Sequence, residues 1–301
     1  MLNLIDLAQL VHDHRSDFDY PVSGFRIGDR LFETDSEPVV MGVVNLSRDS
    51  TYRESIAPTY DDAVRRAQIM LAQGAHVIDV GAESSRADAA RAGVDSQIEQ
   101  LVPVITALRE RGVPTSVESY EVDVVEAALR AGASVVNLTG TREEEAMYRV
   151  VAEHEASLVM CFTPGETVRD ELTVRIHSDP IPPLLEHFAP RVERARSAGV
   201  TSIAVDPGLG FFYGPGTDPI RKAQHQAQVL VQSFRLRPLG VPVCQVMPHA
   251  FDIFQEEFRT AEGVFTVLAR MGGVGMYRVH EVPRVLASLK MMDIVGTSLP
   301  E

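Results

Sequence analysis

Several residues able to do chemistry fall where short apolar runs of this sequence end: Asn45, Asp79, Glu118, Asn137, Asp206, His249, Arg278 and His280. The run Ser202 to Val205 reads as a short buried strand that ends on a carboxylate, Asp206, before Pro207 and Gly208 turn the chain. Taken one at a time, each residue is as well explained as a cap or a turn residue. Taken together, they place carboxylates, amides and cationic groups at the ends of successive strands. Carboxylates accept hydrogen bonds from ring N–H and NH2 groups, and Asn offers both a donor and an acceptor. Glu118, Asn137 and Asp206 therefore suit a ligand with an amide or guanidine-like edge. Arg278 could stack on a flat ring or grip a phosphate.

Positioning such a set in one cavity requires a particular scaffold. From Pro38 the sequence alternates apolar runs of strand length with amphipathic helical stretches. Strands are predicted at Val39–Val44, Val77–Val80, Thr115–Val117, Ser134–Val136, Ser157–Phe162, Ser202–Val205, Val241–Val246 and Gly275–Val279, with a helix after each. Apolar strands without polar alternation, each followed by a helix, imply a parallel sheet covered on both faces. Eight such units close into a (β/α)8 TIM barrel, whose usual size is about 250 residues and whose C-terminal strand ends carry the chemistry. An open doubly wound sheet is the alternative, but no Gly-x-Gly-x-x-Gly follows the first strand. Residues 1–37 read as an N-terminal extension: a short amphipathic helix over Leu2–His12 and a hairpin over Phe25–Phe32, which could plug the bottom of the barrel. Residues 38–301 are assigned to the barrel, with an irregular stretch from Thr163 to Pro183.

Composition narrows the function classes. With 28 basic and 42 acidic residues among 301, the net charge is −14. An acidic surface disfavours nucleic acid and anionic membrane as partners, while an anionic small molecule could still enter a locally basic pocket. No apolar run is long enough to span a bilayer. The start, Met1-Leu2-Asn3-Leu4-Ile5-Asp6, lacks the regions of a signal peptide. Two cysteines, Cys161 and Cys244, make no disulfide framework, so the expected location is the reducing cytoplasm. The histidines show no i, i+4 metal spacing, and no metal site is assigned.

Four segments carry a family resemblance. Val40-Met41-Gly42-Val43-Val44-Asn45-Leu46-Ser47-Arg48-Asp49-Ser50 resembles Met-Gly-Ile-x-Asn-x-Thr-Pro-Asp-Ser-Phe. Ile78-Asp79-Val80-Gly81-Ala82-Glu83-Ser84-Ser85-Arg86 is similar to Ile-Asp-Ile-Gly-Gly-Glu-Ser-Thr-Arg. Asp206-Pro207-Gly208-Leu209-Gly210-Phe211 and Arg278-Val279-His280-Glu281-Val282 complete the set, in order and over roughly Pro38 to Ile294. These are signatures of dihydropteroate synthase and its pterin-binding relatives. The resemblance implies a (β/α)8 barrel that condenses a 6-hydroxymethyl-dihydropterin diphosphate with p-aminobenzoate; no cofactor is assigned, and Mg²⁺ could accompany a diphosphate, bound mainly through its phosphates. It implies that Asn137, Asp206 and Glu118 hold the pterin ring, that Arg278 lies against it, and that Asn45, Arg278 and His280 meet the diphosphate. Ser85 falls at a Thr near the substrates, Phe211 belongs to the pterin-side motif, and His249 stands at a pterin-side Lys. Asp206, Arg278, His280 and His249 are thus the catalytic candidates, and a homodimer is implied.

The departures bear on the second substrate. The first loop reads Ser47-Arg48-Asp49-Ser50-Thr51, and the second, Arg86-Ala87-Asp88, lacks the Pro-Gly of the family. Tyr213 stands where a Lys is usual, and Met247-Pro248-His249 replaces a Ser-Arg-Lys motif. The expected function is a synthase-like transferase acting on p-aminobenzoate or another nucleophile. A folate-dependent methyltransferase-like or specialised-metabolism enzyme and a non-catalytic pterin-binding protein are the alternatives.

Overall fold

The structure, a computed structural model, describes residues 3–49, 52–84, 89, 91–168, 170, 176–210, 213 and 216–296. Among the described residues the strands are β1 (Phe25–Ile27), β2 (Arg30–Phe32), β3 (Val39–Asn45), β4 (Val77–Gly81), β5 (Thr115–Ser119), β6 (Val135–Leu138), β7 (Ser157–Cys161), β8 (Ile203–Asp206), β9 (Cys244–Val246) and β10 (Met276–Val279). The α-helices are α1 (Leu4–Asp13), α2 (Arg15–Phe18), α3 (Tyr60–Ala72), α4 (Val94–Glu110), α5 (Val122–Ala131), α6 (Glu144–Glu153), α7 (Ile181–Ser197), α8 (Pro219–Gln232), α9 (Phe251–Phe254), α10 (Phe258–Met271) and α11 (Val282–Gly296).

Strands β3 to β10 form one parallel sheet in the order β8-β7-β6-β5-β4-β3-β10-β9. The first and last strands of the repeat, β3 and β10, pair directly, with Met276 opposite Val39. A parallel bridge between Val205 and Val243 joins the two edges. An open doubly wound sheet would keep two free edges, so the eight strands are a closed (β/α)8 barrel. The β8–β9 seam is its weakest join: Val205 N donates to Pro242 O at 3.1 Å, and Gly275 and Met276 reach Val243 O from the other side.

Because successive side chains alternate across a strand, each strand sorts its residues into two environments. Ile78, Val80, Val117, Val136, Leu158, Val205 and Tyr277 face the helices and join the large outer core. Their neighbours point inward. The lower inner layers are apolar: Val39, Met41, Val77, Val135, Val159, Ala204, Cys244 and Met276 pack there with Phe25, Ile27 and Phe32 of the hairpin. The expected plug is therefore present. It is fixed to the N-terminal strand ends, where Ser202 Oγ accepts from Arg26 N at 2.9 Å and Ser157 Oγ donates to Arg26 O at 2.7 Å. Both cysteines are buried and free, as small core residues should be.

One step further along the same inward rows, the side chains become polar. Val77 is followed by Asp79, Val135 by Asn137, Ala204 by Asp206 and Met276 by Arg278. Parallel register brings them level, with Asp79 opposite Ser116, Glu118 opposite Asn137, and Asp206 opposite Cys161. Two glycines leave room at this layer. A Cβ on Gly81 would sit 3.2 Å from Glu118 Oε2, and one on Gly208, whose φ is +74°, would meet Phe162 O at 2.7 Å.

Candidate active site

The polar layer is a hydrogen-bonded network around one guanidinium, with Asp206 beside it. Arg278 Nε donates to Asp79 Oδ2 at 2.8 Å, and Nη2 donates to Glu118 Oε2 at 2.5 Å. Asp79 also accepts from Ser116 Oγ at 2.7 Å and from Asn137 Nδ2 at 3.0 Å. Asp206 Oδ1 accepts from Gly208 N at 2.7 Å, a bond made inside the turn that Pro207 and Gly208 form. All of these side chains are buried or nearly so. Three carboxylates face one cation, and burying a charge without a partner is costly. Burial consequently pushes the Asp206 carboxyl up to about 6, against the backbone hydrogen bond from Gly208. It pushes Glu118 up to about 7, where Arg278 opposes the shift and Asp79 and Asp206 add to it. The guanidinium is held charged above its ordinary value by its carboxylate neighbours, despite its burial. A ligand bringing N–H donors to this floor would favour the ionised carboxylates.

Above the floor opens a cavity of about 180 Å³, lined on the barrel side by Asn45, Glu83, Glu118, Arg278 and His280 and on the other by α8, α9 and the turn through His249. Its lip is aromatic. The Tyr52 ring lies 4.5 Å from that of His249 and 4.4 Å from that of His280. Phe251 stacks on His249 at 5.2 Å with an interplanar angle of 14°. The two imidazoles converge on the carboxylate of Glu262, which α10 buries completely. Lys222 reaches the same cavity from α8 and sits over the Tyr213 ring at 4.9 Å, its ammonium pulled below the ordinary value by burial.

Of the residues singled out in the sequence, Asn45, Glu118, His249, Arg278 and His280 line this cavity. Asn137 and Asp206 are buried at the level of the floor network. Ser85 and Phe211 lie outside the described residues. Arg278 is committed in part: Nε donates to Asp79 and Nη2 to Glu118, because buried carboxylates need a counterion, which leaves Nη1 and the second Nη2 hydrogen for a ligand. Asp79 was visible as a strand-end carboxylate, but its part as the hub of the floor is evident only from the contacts. Tyr52, Lys222 and Glu262 were missed. Each comes from a loop or helix, where no strand-end signal exists. The histidine reading also changes in three dimensions, since His249, Glu262 and His280 place ligand atoms within 4.8 Å of one another although no helical spacing relates them.

Comparison with known proteins agrees with this geometry. Residues 41–280 match the family model described as pterin binding enzyme, which spans the barrel from β3 to the strand end at His280. A dihydropteroate synthase from Bacillus subtilis is 29% identical over 300 residues, covering 96% of this chain and 94% of that one. A dihydropteroate synthase from Synechocystis is 28% identical, covering 91% and 96%. Among solved structures, the Thermus thermophilus dihydropteroate synthase in complex with 4-aminobenzoate superposes with a TM-score of 0.75 at 26% identity, over 90% of this chain and 99% of that one. A closed parallel barrel, a carboxylate floor at its C-terminal strand ends and a match running through all eight strands lead to one conclusion: the chain belongs to the pterin binding enzyme family.

Proposed function

We propose that this protein is a dihydropteroate-synthase-like transferase that joins the methylene carbon of a 6-hydroxymethyl-dihydropterin diphosphate to an amine nucleophile, p-aminobenzoate or a relative of it. The observation that carries this reading is the floor. Glu118, Asp79 and Asp206 outnumber their one cation, and Asn137 adds an amide beside them. That donor-hungry surface complements the 2-amino-pyrimidinone edge of a pterin.

The reaction forms a C–N bond and breaks a C–O bond. Diphosphate departs with the bonding electrons, and the amine nitrogen loses a proton. Two things are asked of the protein: holding the methylene carbon in line between nucleophile and leaving group, and stabilising charge on the departing oxygens. In this reading Arg278 and His280 serve the second task; they line the cavity together with Asn45 and Lys222. Asp206 and Glu118 anchor the ring so that the methylene points away from the floor. His249 replaces a lysine of the family pattern, and its imidazole can donate one hydrogen bond to ring or phosphate. Mg²⁺ would enter with the diphosphate, bound mainly through phosphate oxygens.

Two further expectations accompany the reading. Exposed apolar side chains on the last two helices, Val264, Met271, Met291, Ile294 and Val295, support pairing into a homodimer. Two buried free cysteines, and no helix among the described residues long and apolar enough to cross a membrane, support a cytoplasmic location.

The decisive experiment is calorimetric titration with 6-hydroxymethyl-dihydropterin diphosphate, with and without Mg²⁺ and with a plain pterin as control, followed by a diphosphate-release assay across a panel of aryl and alkyl amines. Diphosphate-dependent binding with turnover on at least one amine is the expected result. Binding of neither pterin would overturn the proposal.

A further inference from the structure

Three side chains from three elements converge beside the cavity. His249 follows β9, His280 follows β10, and Glu262 comes from α10 in the outer ring. Glu262 Oε1 lies 3.0 Å from His280 Nδ1 and 3.1 Å from His249 Nε2. The two approaches differ in kind. His280 Nδ1 meets the carboxylate with hydrogen-bond geometry. His249 Nε2 approaches the same oxygen off the line of a well-formed hydrogen bond, although it is shielded from water. A buried ring nitrogen aimed beside a carboxylate, not at it, is what a shared third centre would require. Donor atoms held tetrahedrally about 2.0–2.1 Å from one ion lie roughly 3.3–3.4 Å from each other; the two distances to Glu262 Oε1 are within a few tenths of an ångström of that, and all the donor atoms lie within 4.8 Å of one another.

The surroundings fix these donors in place. The backbone N–H of His280 donates to both Glu262 oxygens at 2.9 and 3.1 Å, and that of Glu281 adds a third bond at 2.8 Å. Tyr52 is packed against both imidazoles, and Phe251 lies against His249. Hydrogen bonds to a ligating carboxylate and packing around ligating rings are the supports that orient metal ligands. Both histidines border the cavity, while Glu262 is sealed behind them.

We propose that His249, Glu262 and His280 form a binding site for a divalent transition metal, with an open coordination position toward the barrel cavity. Two imidazoles and one carboxylate suit Zn²⁺, Co²⁺ or Ni²⁺; Mg²⁺ demands a shell of oxygens that this cluster does not offer. Three protein ligands with a vacant fourth position match catalytic zinc sites and not the closed four-ligand structural ones. That position would receive water or an anionic oxygen. Identifying the oxygen as one of a substrate diphosphate rests on the transferase reading, whereas metal binding itself does not.

The test uses the full chain stripped with a chelator and titrated with Co²⁺ and Zn²⁺, followed by visible absorption and calorimetry. One ion per chain is expected, with the d–d bands of four- or five-coordinate Co²⁺. H249Q and E262Q should each weaken it by at least the ~10–100-fold that even outer-shell losses cost. H249Q replaces a side chain at the lip and decides the matter if a melting curve shows E262Q to be misfolded. Inorganic diphosphate added to the Co²⁺-loaded protein should shift the bands. No stoichiometric ion in the wild type, or an ion whose affinity is unchanged in H249Q, would overturn the site. Bands indifferent to diphosphate would overturn the open position. Because no pterin is used, failure here is distinguishable from failure of the transferase reading.

Discussion

The floor of the cavity and its lip are both polar and both crowded, yet they are built on opposite principles. The floor hangs from strands. Asp79, Glu118, Asn137, Asp206 and Arg278 belong to five strands whose register brings them level; Asp79, Glu118, Asn137 and Arg278 are linked through hydrogen bonds to one another, and Asp206 is held by the backbone N–H of Gly208. The lip hangs from loops and short helices. Tyr52, His249 and Phe251 belong to connections, and what orders them is ring stacking, the carboxylate that α10 supplies and, for Tyr52, a hydrogen bond from its hydroxyl to Glu281. A rigid sheet can hold an excess of buried carboxylate because no side chain can move away from its neighbours. Connections can be rewritten without disturbing that sheet. The departures from the family motifs at Met247-Pro248-His249 and Tyr213 fall in such connections.

The largest effect should come from the centre of the floor. Arg278→Met leaves Asp79, Glu118 and Asp206 buried without their cation, and breaking a buried ion pair from one side costs about 3–5 kcal/mol. A urea unfolding midpoint equivalent to a loss under ~1 kcal/mol would show that the carboxylates do not depend on it. Next in size are Glu118→Gln and Asp206→Asn. Each removes a charge-assisted acceptor worth about 1.5–3 kcal/mol, so pterin affinity should fall by about 10–100-fold, read by calorimetry. Folding should be preserved, since burial already disfavours the charged forms. Unchanged affinity in both variants would remove the floor from ligand recognition.

A pH series sharpens the comparison further. Glu118 and Asp206 have folded values of about 7 and about 6, above those of unfolded carboxyls near 4. Between about pH 4 and 7 the native floor holds protons that the unfolded chain has released, so this contribution to stability falls as pH rises and levels off above 7. Pterin binding should run the other way. It should strengthen as pH rises through 6 to 7 and release protons, which calorimetry in buffers of different ionisation enthalpy would detect. Binding that weakens over that range would contradict the assignment of these two carboxylates as acceptors.

The smallest effect is expected at the lip. Phe251 is 38% exposed and packs on His249 without touching the floor network. Phe251→Ala should leave pterin affinity within about 0.5 kcal/mol of wild type, the range of surface substitutions, while altering selectivity across a panel of amine acceptors in the diphosphate-release assay. A large loss of pterin affinity would mean that floor and lip are one unit.

The sequence by itself determined the barrel and most of its floor. Val39–Asn45, Val77–Gly81 and their successors are apolar on both faces because helices cover one side and the barrel interior the other, and that pattern reads directly as parallel strands. A polar residue closing such a run stands out, which is why Asp206, Glu118 and Asn137 were legible. Tertiary structure alone decided the pairings. That Arg278 is committed to Asp79 and Glu118 depends on register across strands far apart in the chain. Tertiary structure alone also found Glu262: an acidic residue on an amphipathic helix looks like any solvent-facing one until the helix is docked. Local periodicity fixes which face of an element is buried. Which distant charge it will meet there is set by closure of the barrel, a property of all eight strands at once.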